Sequence, residues 1–559
     1  MSKNTFVLLL LACVGVYFGG VFMIPLMDID AAQYASISRE MLERNSFLQV
    51  FDLGKDYLDK PPMLFWLSAV SMKIFGIYDW AYRIPSLLFL GVALWATFKF
   101  AQLFYSTQVA RLATIILASS QAFFLMAHDV RTDTMLVGWV MLSIYLLAKW
   151  SETLRHQQKG ASPYFFIAIV AIAGGMMTKG PIALVVPVLA LAPHWISNKQ
   201  WKLFYHPIYI PGILFLTILL FPMSWGLYQQ YDLQPGKLIN ERPIQSGLEF
   251  YYWTQSFGRY TGENVFNEMN HFTFLLENML WSFLPWIFVF LMALVLSVKD
   301  IIQSKFKLQS HQEFIAAGGF IATYCMLARS QAQLPHYIFV ALPLAAIVTA
   351  KGLHQIYFSE RFLKLKKVAL YFHGFIFTLL WAAANMIVLF VFTDMPVYVK
   401  IVTIIGTVYF LYLLFFYKGQ TPKFISLALY TILGVNFILN TSFYPRLLKY
   451  ELGVSAAAFI NQNKLPKTSI YLYEIDESRA LHFYGNHSFE RIFDSSLLTP
   501  GQILITKASS FPKLQQQFPG SSILHKNAYF GVSMLTLPFL NPATRDKEVT
   551  PYIIVTLAK

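Results

Sequence analysis

Repeated runs of roughly twenty mainly apolar residues limit this chain more than any other feature, since a helix of about that length is what crosses a bilayer's hydrocarbon core. Such runs lie near 6–27, 81–104, 109–127, 134–150, 163–178, 181–197, 207–227, 276–297, 313–329, 335–350, 368–393, 397–416 and 423–443. They predict an all-α polytopic membrane domain with about thirteen transmembrane helices. Composition agrees. Of 559 residues, 56% are hydrophobic and only 13% are charged, which excludes a soluble globule, a disordered chain and a collagen-like one. The first run follows Lys3 and has no small-residue cleavage site after it, so it reads as a retained span rather than a signal peptide. Cys13 and Cys325 both sit in apolar runs and offer no disulfide framework, zinc spacing or redox pair.

The formal net charge of +14 would suggest nucleic acid in a soluble protein. Here it follows from orientation, and no nucleic-acid partner is expected. Alternate connections carry Arg111; Lys149, Arg155 and Lys159; Lys199 and Lys202; Lys299, Lys305 and Lys307; Lys351, Arg361, Lys364, Lys366 and Lys367; and Lys418 and Lys423. The short links between them hold little beyond Arg131, Lys179 and Arg329. The positive-inside bias places the first set and the N-terminus in the cytoplasm. The long segments 28–80 and 228–275 and the tail then face the other side.

The tail differs in pattern. From Tyr444 on, apolar runs shorten to strand length at Ser469–Tyr473, Gln502–Thr506, Val532–Leu537 and Tyr552–Leu557, with a helical stretch near Val454–Gln462. The expected division is a membrane domain over 1–443 and a small soluble α/β domain over 444–559.

Ionisable residues at the ends of membrane helices are costly and mark sites. Five clusters fall on the outer face. Asp28-Ile29-Asp30-Ala31-Ala32-Gln33-Tyr34 leads into a stretch with Ile37, Met41 and Leu42 at helical spacing, which predicts an amphipathic helix lying along the outer surface. Asp30 suits both a helix N-cap and a general base, because a cap keeps a carboxylate ionised. Tyr57-Leu58-Asp59-Lys60-Pro61-Pro62 precedes an apolar helix, with Pro61 expected in its first turn. A cation at that helix end is disfavoured unless Asp59 or a bound anion such as phosphate compensates it. His128-Asp129-Val130-Arg131-Thr132-Asp133 forms one interhelical link, with Asp133 suited to capping; Thr178-Lys179-Gly180-Pro181 forms another, where lysine either snorkels or binds. Arg259 closes the aromatic segment Tyr251–Tyr260, where a guanidinium suits an oxyanion, and Gln333-Leu334-Pro335-His336-Tyr337 opens a later span. Carboxylates beside cations on one face suit chemistry on a lipid-borne phosphate.

These motifs, taken in order, resemble the GT-C class of membrane glycosyltransferases that use polyprenyl-phosphate sugars. Within that class the chain resembles the ArnT-like family of lipid A aminoarabinose transferases, and more distantly the protein O-mannosyltransferases. The resemblance implies an inverting transfer from an undecaprenyl-phosphate-linked sugar to a lipid or glycan acceptor, lipid A or another, at the periplasmic face of a bacterial inner membrane. It maps the catalytic aspartate onto Asp30, with Asp133 as a second carboxylate. Lys60, Arg259, Lys179, Tyr337 and His336 are expected around the donor phosphate, with Tyr34, Asp59 and Arg131 in support. No cofactor is expected to be required, and no metal ligand set is evident, although some family members bind a divalent metal near the acidic residue preceding the lysine. The family's Asp-Glu pair is Asp30-Ala31 here, its basic residue before the tyrosine is Gln33, and Ser256 stands where close relatives often have histidine. These departures point away from aminoarabinose transfer to lipid A and toward another sugar or acceptor. The competing readings are a protein O-glycosyltransferase of the same architecture and a transporter for a lipid-linked anion.

Overall fold

A computed structural model of the chain describes residues 2–239, 242–261, 271–305, 312–358, 362–419 and 422–558. Every apolar run carries helix. Among the described residues, nine helices are long and apolar enough to cross a membrane, and the bent pair Thr107–Ala118 and Gln121–His128 makes a tenth. The chain is a multi-pass membrane protein.

Four of the thirteen expected spans are shorter or broken. Ile182–Ser197 and Ile315–Ala328 are apolar helices of 16 and 14 residues. The run 276–297 is divided into Phe274–Ser282 and Ile287–Gln303, around Pro285, which lacks the N–H a continuous helix needs. In the bent pair, the Ser119 and Ser120 hydroxyls donate back to the Ile115 and Leu117 carbonyls at 2.6 and 2.8 Å. The helix breaks there by 55° because side chains compete for its backbone acceptors. The last membrane helix runs past 443 through a π-helical turn, Leu439–Phe443, to Tyr450.

Two hairpins sit in the long segments: β1 (Phe51–Asp52) with β2 (Lys55–Asp56), and β3 (Lys237–Ile239) with β4 (Arg242–Ile244). The tail folds into a five-stranded sheet of β5 (Ile470–Tyr473), β6 (Glu490–Ile492), β7 (Ile503–Lys507), β8 (Ser522–Tyr529) and β9 (Thr550–Thr556). Its order is β6-β5-β7-β9-β8, with β5 parallel to both neighbours and β9 antiparallel to both of its own. The expected strand Val532–Leu537 does not form. That apolar run instead links Phe530 and Phe539, which stack at 3.8 Å and join the core of the membrane helices.

The helix Asp30–Arg44 corrects a second expectation. It does not lie along an exposed surface: Ala31, Ala32 and every residue from Tyr34 to Met41 are buried. One side packs on the helix Met63–Phe75, and the other is covered by the helix Arg479–Gly485 of the sheet domain. Its polar residues serve that second contact. Arg39 donates to the carbonyls of His482 and Phe483, and Ser36 donates to that of Arg479 at 3.3 Å. Just before the helix, Asp28 accepts from Ser478 Oγ at 2.6 Å and from the Ala480 N–H at 2.9 Å. Tyr484 donates to Asp79 at 2.9 Å and accepts from the Leu26 N–H. These contacts fix the sheet domain to the segment that carries Asp30.

Glu451 lies at the base of this seam, 4% exposed. Burial, followed by the nearby Asp28 carboxylate, pushes its carboxyl from the ordinary 4.5 up to about 9. The unfolded chain therefore loses this proton first, so the native state loses stability as pH rises from 4.5 toward 9. Glu451→Gln keeps a neutral donor in place and is expected to raise the melting temperature at pH 7 by several degrees and much less at pH 5. Equal effects at both pH values in thermal unfolding would contradict this.

Candidate active site

Asp30 is the first residue of its helix, so the N-cap position falls to Ile29 and not to the aspartate. The Asp30 side chain turns to Arg131, whose Nη1 donates to Asp30 Oδ2 at 2.7 Å. Arg131 is the N-cap of the helix Thr132–Arg155, and its Nε donates to Asp129 Oδ2 at 3.1 Å. Asp129, and then Asp30, hold the guanidinium in its charged form, raising its pKa against the cost of burial. Capping by Asp133 is likewise replaced: Asp133 lies one residue into that helix and pairs with Lys179. The site thus spends its carboxylates on cations rather than on helix ends.

Lys179 ends the helix Ser162–Lys179, where a cation is favoured by the helix dipole. Gly180, at φ +110°, turns the chain at once into Pro181 and the helix Ile182–Ser197. Only glycine adopts that backbone without strain, so the tight link aims Lys179 inward. Its Nζ stands 4.2 Å from the centre of the Tyr337 ring. Tyr337 and His336 come from the 3-10 turn Pro335–Ala341. His336 bridges the two carboxylate–cation pairs, with Nδ1 3.5 Å from Arg131 Nη1 and Nε2 3.6 Å from Asp133 Oδ2. A continuous chain of alternating polar groups results: Asp30, Arg131, His336, Asp133, Lys179.

Lys60 lies three residues before the helix Met63–Phe75, whose N-cap is Pro62, so Pro61 precedes the first turn rather than entering it. Lys60 and Lys179 line one small crevice with Asp59, Tyr251, Gln255 and Ser256. Gln255 closes it by donating to the Asp59 carbonyl at 2.9 Å. Tyr34 is buried beneath, against Phe65 at 5.7 Å, and burial raises its phenol far above the ordinary value. Arg259 belongs to the short helix Gly258–Thr261, but its side chain lies outside the described residues.

Two cavities meet at Asp133. One, of about 340 Å³, is mainly apolar, lined by Leu136, Ile182, Val185, Met326 and Leu327 with Lys179 and Tyr337. The other, of about 460 Å³, carries Asp30, Arg131 and His336 on one side and Trp281 and Phe339 on the other. Among the described residues no group of three or more His, Cys, Asp or Glu side chains could hold a metal ion.

The sequence motifs singled out nine side chains that the structure describes, and all nine lie in or directly beside this chain of contacts. Sequence reasoning missed Asp129 as a partner of Arg131, and Gln255 as the residue that closes the crevice. The density of polar groups in His128–Asp133 was the available signal for Asp129.

A family model described as dolichyl-phosphate-mannose-protein mannosyltransferase matches residues 59–225. The crystal structure of ArnT from Cupriavidus metallidurans bound to undecaprenyl phosphate superposes over 100% of this chain and 99% of its own, at TM-score 0.72 and 16% identity. The chain has the fold of that ArnT structure. Two relatives are undecaprenyl phosphate-alpha-4-amino-4-deoxy-L-arabinose arabinosyl transferases. That of Serratia proteamaculans is 26% identical over 60% of this chain and 58% of its own length. That of an Enterobacter species is 24% identical over 65% and 60%. In sequence the chain spans about three fifths of the length of those two relatives.

The buried pair gives a direct test. Lys179→Met strands the Asp133 carboxylate, which is 4% exposed, and removing one partner of a buried pair costs about 3–5 kcal/mol. Asp133→Asn combined with Lys179→Met should recover most of that loss in thermal unfolding. A single variant as stable as the double one would contradict the pairing.

Proposed function

We propose that this chain is an inverting glycosyltransferase of a bacterial inner membrane. It moves a sugar from undecaprenyl phosphate to lipid A or another envelope lipid or glycan. Its catalytic face is periplasmic, together with the sheet domain, and its N-terminus is cytoplasmic. The observation that carries the reading is the polar chain from Asp30 to Lys179, which abuts the Lys60 crevice at one end and opens on an apolar cavity. The relatives' names and the ArnT structure with bound undecaprenyl phosphate support the donor.

In this reading the polyprenyl tail occupies the apolar cavity, and the phosphate sits between Lys60 and Lys179, with Arg259, Tyr337 and His336 around it. An acceptor hydroxyl attacks the anomeric carbon from the face opposite the phosphate. Its proton passes to Asp30 as the new carbon–oxygen bond forms. The bond from the anomeric carbon to the phosphate oxygen breaks, and its electron pair leaves as undecaprenyl phosphate. Lysines preorganised around that oxygen stabilise the developing charge without solvent reorganisation. Arg131 orients Asp30, and Asp133 orients Lys179. Asp59 and Tyr34 support the walls.

The family model that matches residues 59–225 favours a second reading, in which the acceptor is a protein hydroxyl and the rest of the machinery is unchanged. Mass spectrometry of envelope lipids, glycans and proteins with and without the chain separates the two by which class loses a sugar increment.

Asp30→Asn should reduce transfer by roughly 10²–10⁴-fold, the usual worth of a general base, while undecaprenyl phosphate still binds. Lys60→Ala should weaken that binding by roughly tenfold, as expected for one charge-assisted contact. Full activity in the first variant, or unchanged affinity in the second, would remove the assigned role.

A further inference from the structure

Residues 530–540 follow β8 and run through the short helix Leu537–Leu540 without a single ionisable side chain. Both ends of this stretch are fixed where membrane spans end. Phe530 donates its N–H to the Tyr450 carbonyl at 3.0 Å, and the Phe539 ring meets the Tyr450 ring edge-on at 5.1 Å. Tyr450 is the last residue of the span Lys423–Tyr450. Just beyond the stretch, Arg545 donates to the Val391 carbonyl at 2.5 Å and lies over the Phe392 ring at 4.9 Å. Val391 ends a second span, Leu363–Val391. The stretch therefore starts and finishes at the ends of two membrane helices.

Between those two fixed ends the apolar side chains stay in the open. Met534, Leu535 and Leu537 are 81%, 42% and 80% exposed. Apolar residues exposed singly are ordinary, but a cluster of them marks contact with protein or lipid. Elsewhere on the sheet domain, among the described residues, the exposed large apolar side chains are only Phe493, Leu497, Ile523 and Leu524. Phe390, next to Val391 at the end of its span, is exposed as well, as a side chain facing acyl chains would be. The cluster is thus continuous with the seat of the sheet domain on the membrane helices. The helix that follows, Arg545–Glu548, sets two cations against two carboxylates. Burial of apolar area, rather than attraction to charged headgroups, is then the force available to this surface.

We propose that residues 531–538 form a loop that dips into the bilayer, placing Met534, Leu535 and Leu537 among the acyl chains of the leaflet on the sheet domain's side. The occupant of the cluster is phospholipid. The sheet domain then has two kinds of support: protein contacts at the Asp28–Ser478 seam and lipid at this loop. The proposal does not depend on the glycosyltransferase reading. It gives the seam beside Asp30 a fixed depth relative to the membrane surface.

The test uses the full chain in phosphatidylcholine nanodiscs, with Cys13→Ala and Cys325→Ser removing the native thiols. A nitroxide is attached at Met534→Cys and, in a separate sample, at Leu537→Cys. Power-saturation electron paramagnetic resonance compares collisions with oxygen, which concentrates among acyl chains, and with a water-soluble nickel chelate. Labels at Phe390→Cys, on a membrane helix, and at Gln462→Cys, at the exposed end of the helix Leu452–Gln462, supply the lipid and water limits. Both loop labels should give an oxygen-to-nickel ratio several-fold above that at Gln462 and close to that at Phe390. Added phosphatidylglycerol should leave the ratio unchanged. Leu537→Asp should lower the ratio at position 534 several-fold at an unchanged melting temperature, because so exposed a side chain makes little contact within the protein. A ratio at both loop positions equal to that at Gln462 overturns the proposal. Few collisions with either reagent would mean that protein, such as a second copy of the chain, covers the cluster, and would overturn it too.

Discussion

Charge withdrawn from water must be matched by charge, and the candidate site is built around that constraint. Asp133 and Lys179 are 4% and 10% exposed and come from different membrane helices. Neither could stay ionised there alone, because burial of an unpaired ion costs more than folding can spare. Their pairing sets how closely the helices Thr132–Arg155 and Ser162–Lys179 approach at that end. It also turns Lys179 toward Tyr337 and leaves room for His336 on the other carboxylate oxygen. Arg131 repeats the solution one step further out, shared between Asp129 and Asp30. In the function proposed for the chain, the two pairs prepare opposite ends of one reaction: a cation for the leaving phosphate and a carboxylate for the incoming hydroxyl.

The sheet domain takes part in this arrangement. The helix Asp30–Arg44 would expose Arg39 and Ser36 on a free surface, but both donate to carbonyls of the helix Arg479–Gly485. Asp28, two residues from Asp30, receives Ser478 and Ala480. A shift of the domain would therefore pull on the backbone that sets the direction of Asp30. Reaction geometry is sensitive to displacements of about 1 Å, which, under the proposed function, gives a physical reason for the sheet domain to be anchored beside Asp30.

Much of this was legible in the residues. Apolar run length located every membrane helix, because the bilayer imposes that length whatever the packing. Where runs failed as straight spans, at Ser119-Ser120 and Pro285, the cause was a local contest for backbone hydrogen bonds that hydropathy does not register. The motifs pointed to Asp30, Lys60, Asp133, Lys179 and His336, since ionisable residues in tight links between apolar helices have few other uses. What they left out was who pairs with whom. Capping was a reasonable local use for Asp30 and Asp133, but Arg131 and Lys179 arrive from elsewhere in the chain and outbid the backbone N–H groups. The burial of the helix Asp30–Arg44 was hidden for the same reason, as its cover lies more than four hundred residues away. In the tail, Val532–Leu537 has strand composition but is used to seat the sheet domain on the membrane helices.

The account depends on one lipid phosphate lying between two lysines that are more than a hundred residues apart in sequence. A cryo-electron microscopy map of the chain with undecaprenyl phosphate in nanodiscs tests this most directly. The account predicts phosphate density within salt-bridge distance, about 3–4 Å, of both Lys60 and Lys179, with the tail entering the cavity lined by Leu136, Val185 and Met326. Phosphate density away from both lysines, or a tail leaving through a different face of the bundle, would contradict it.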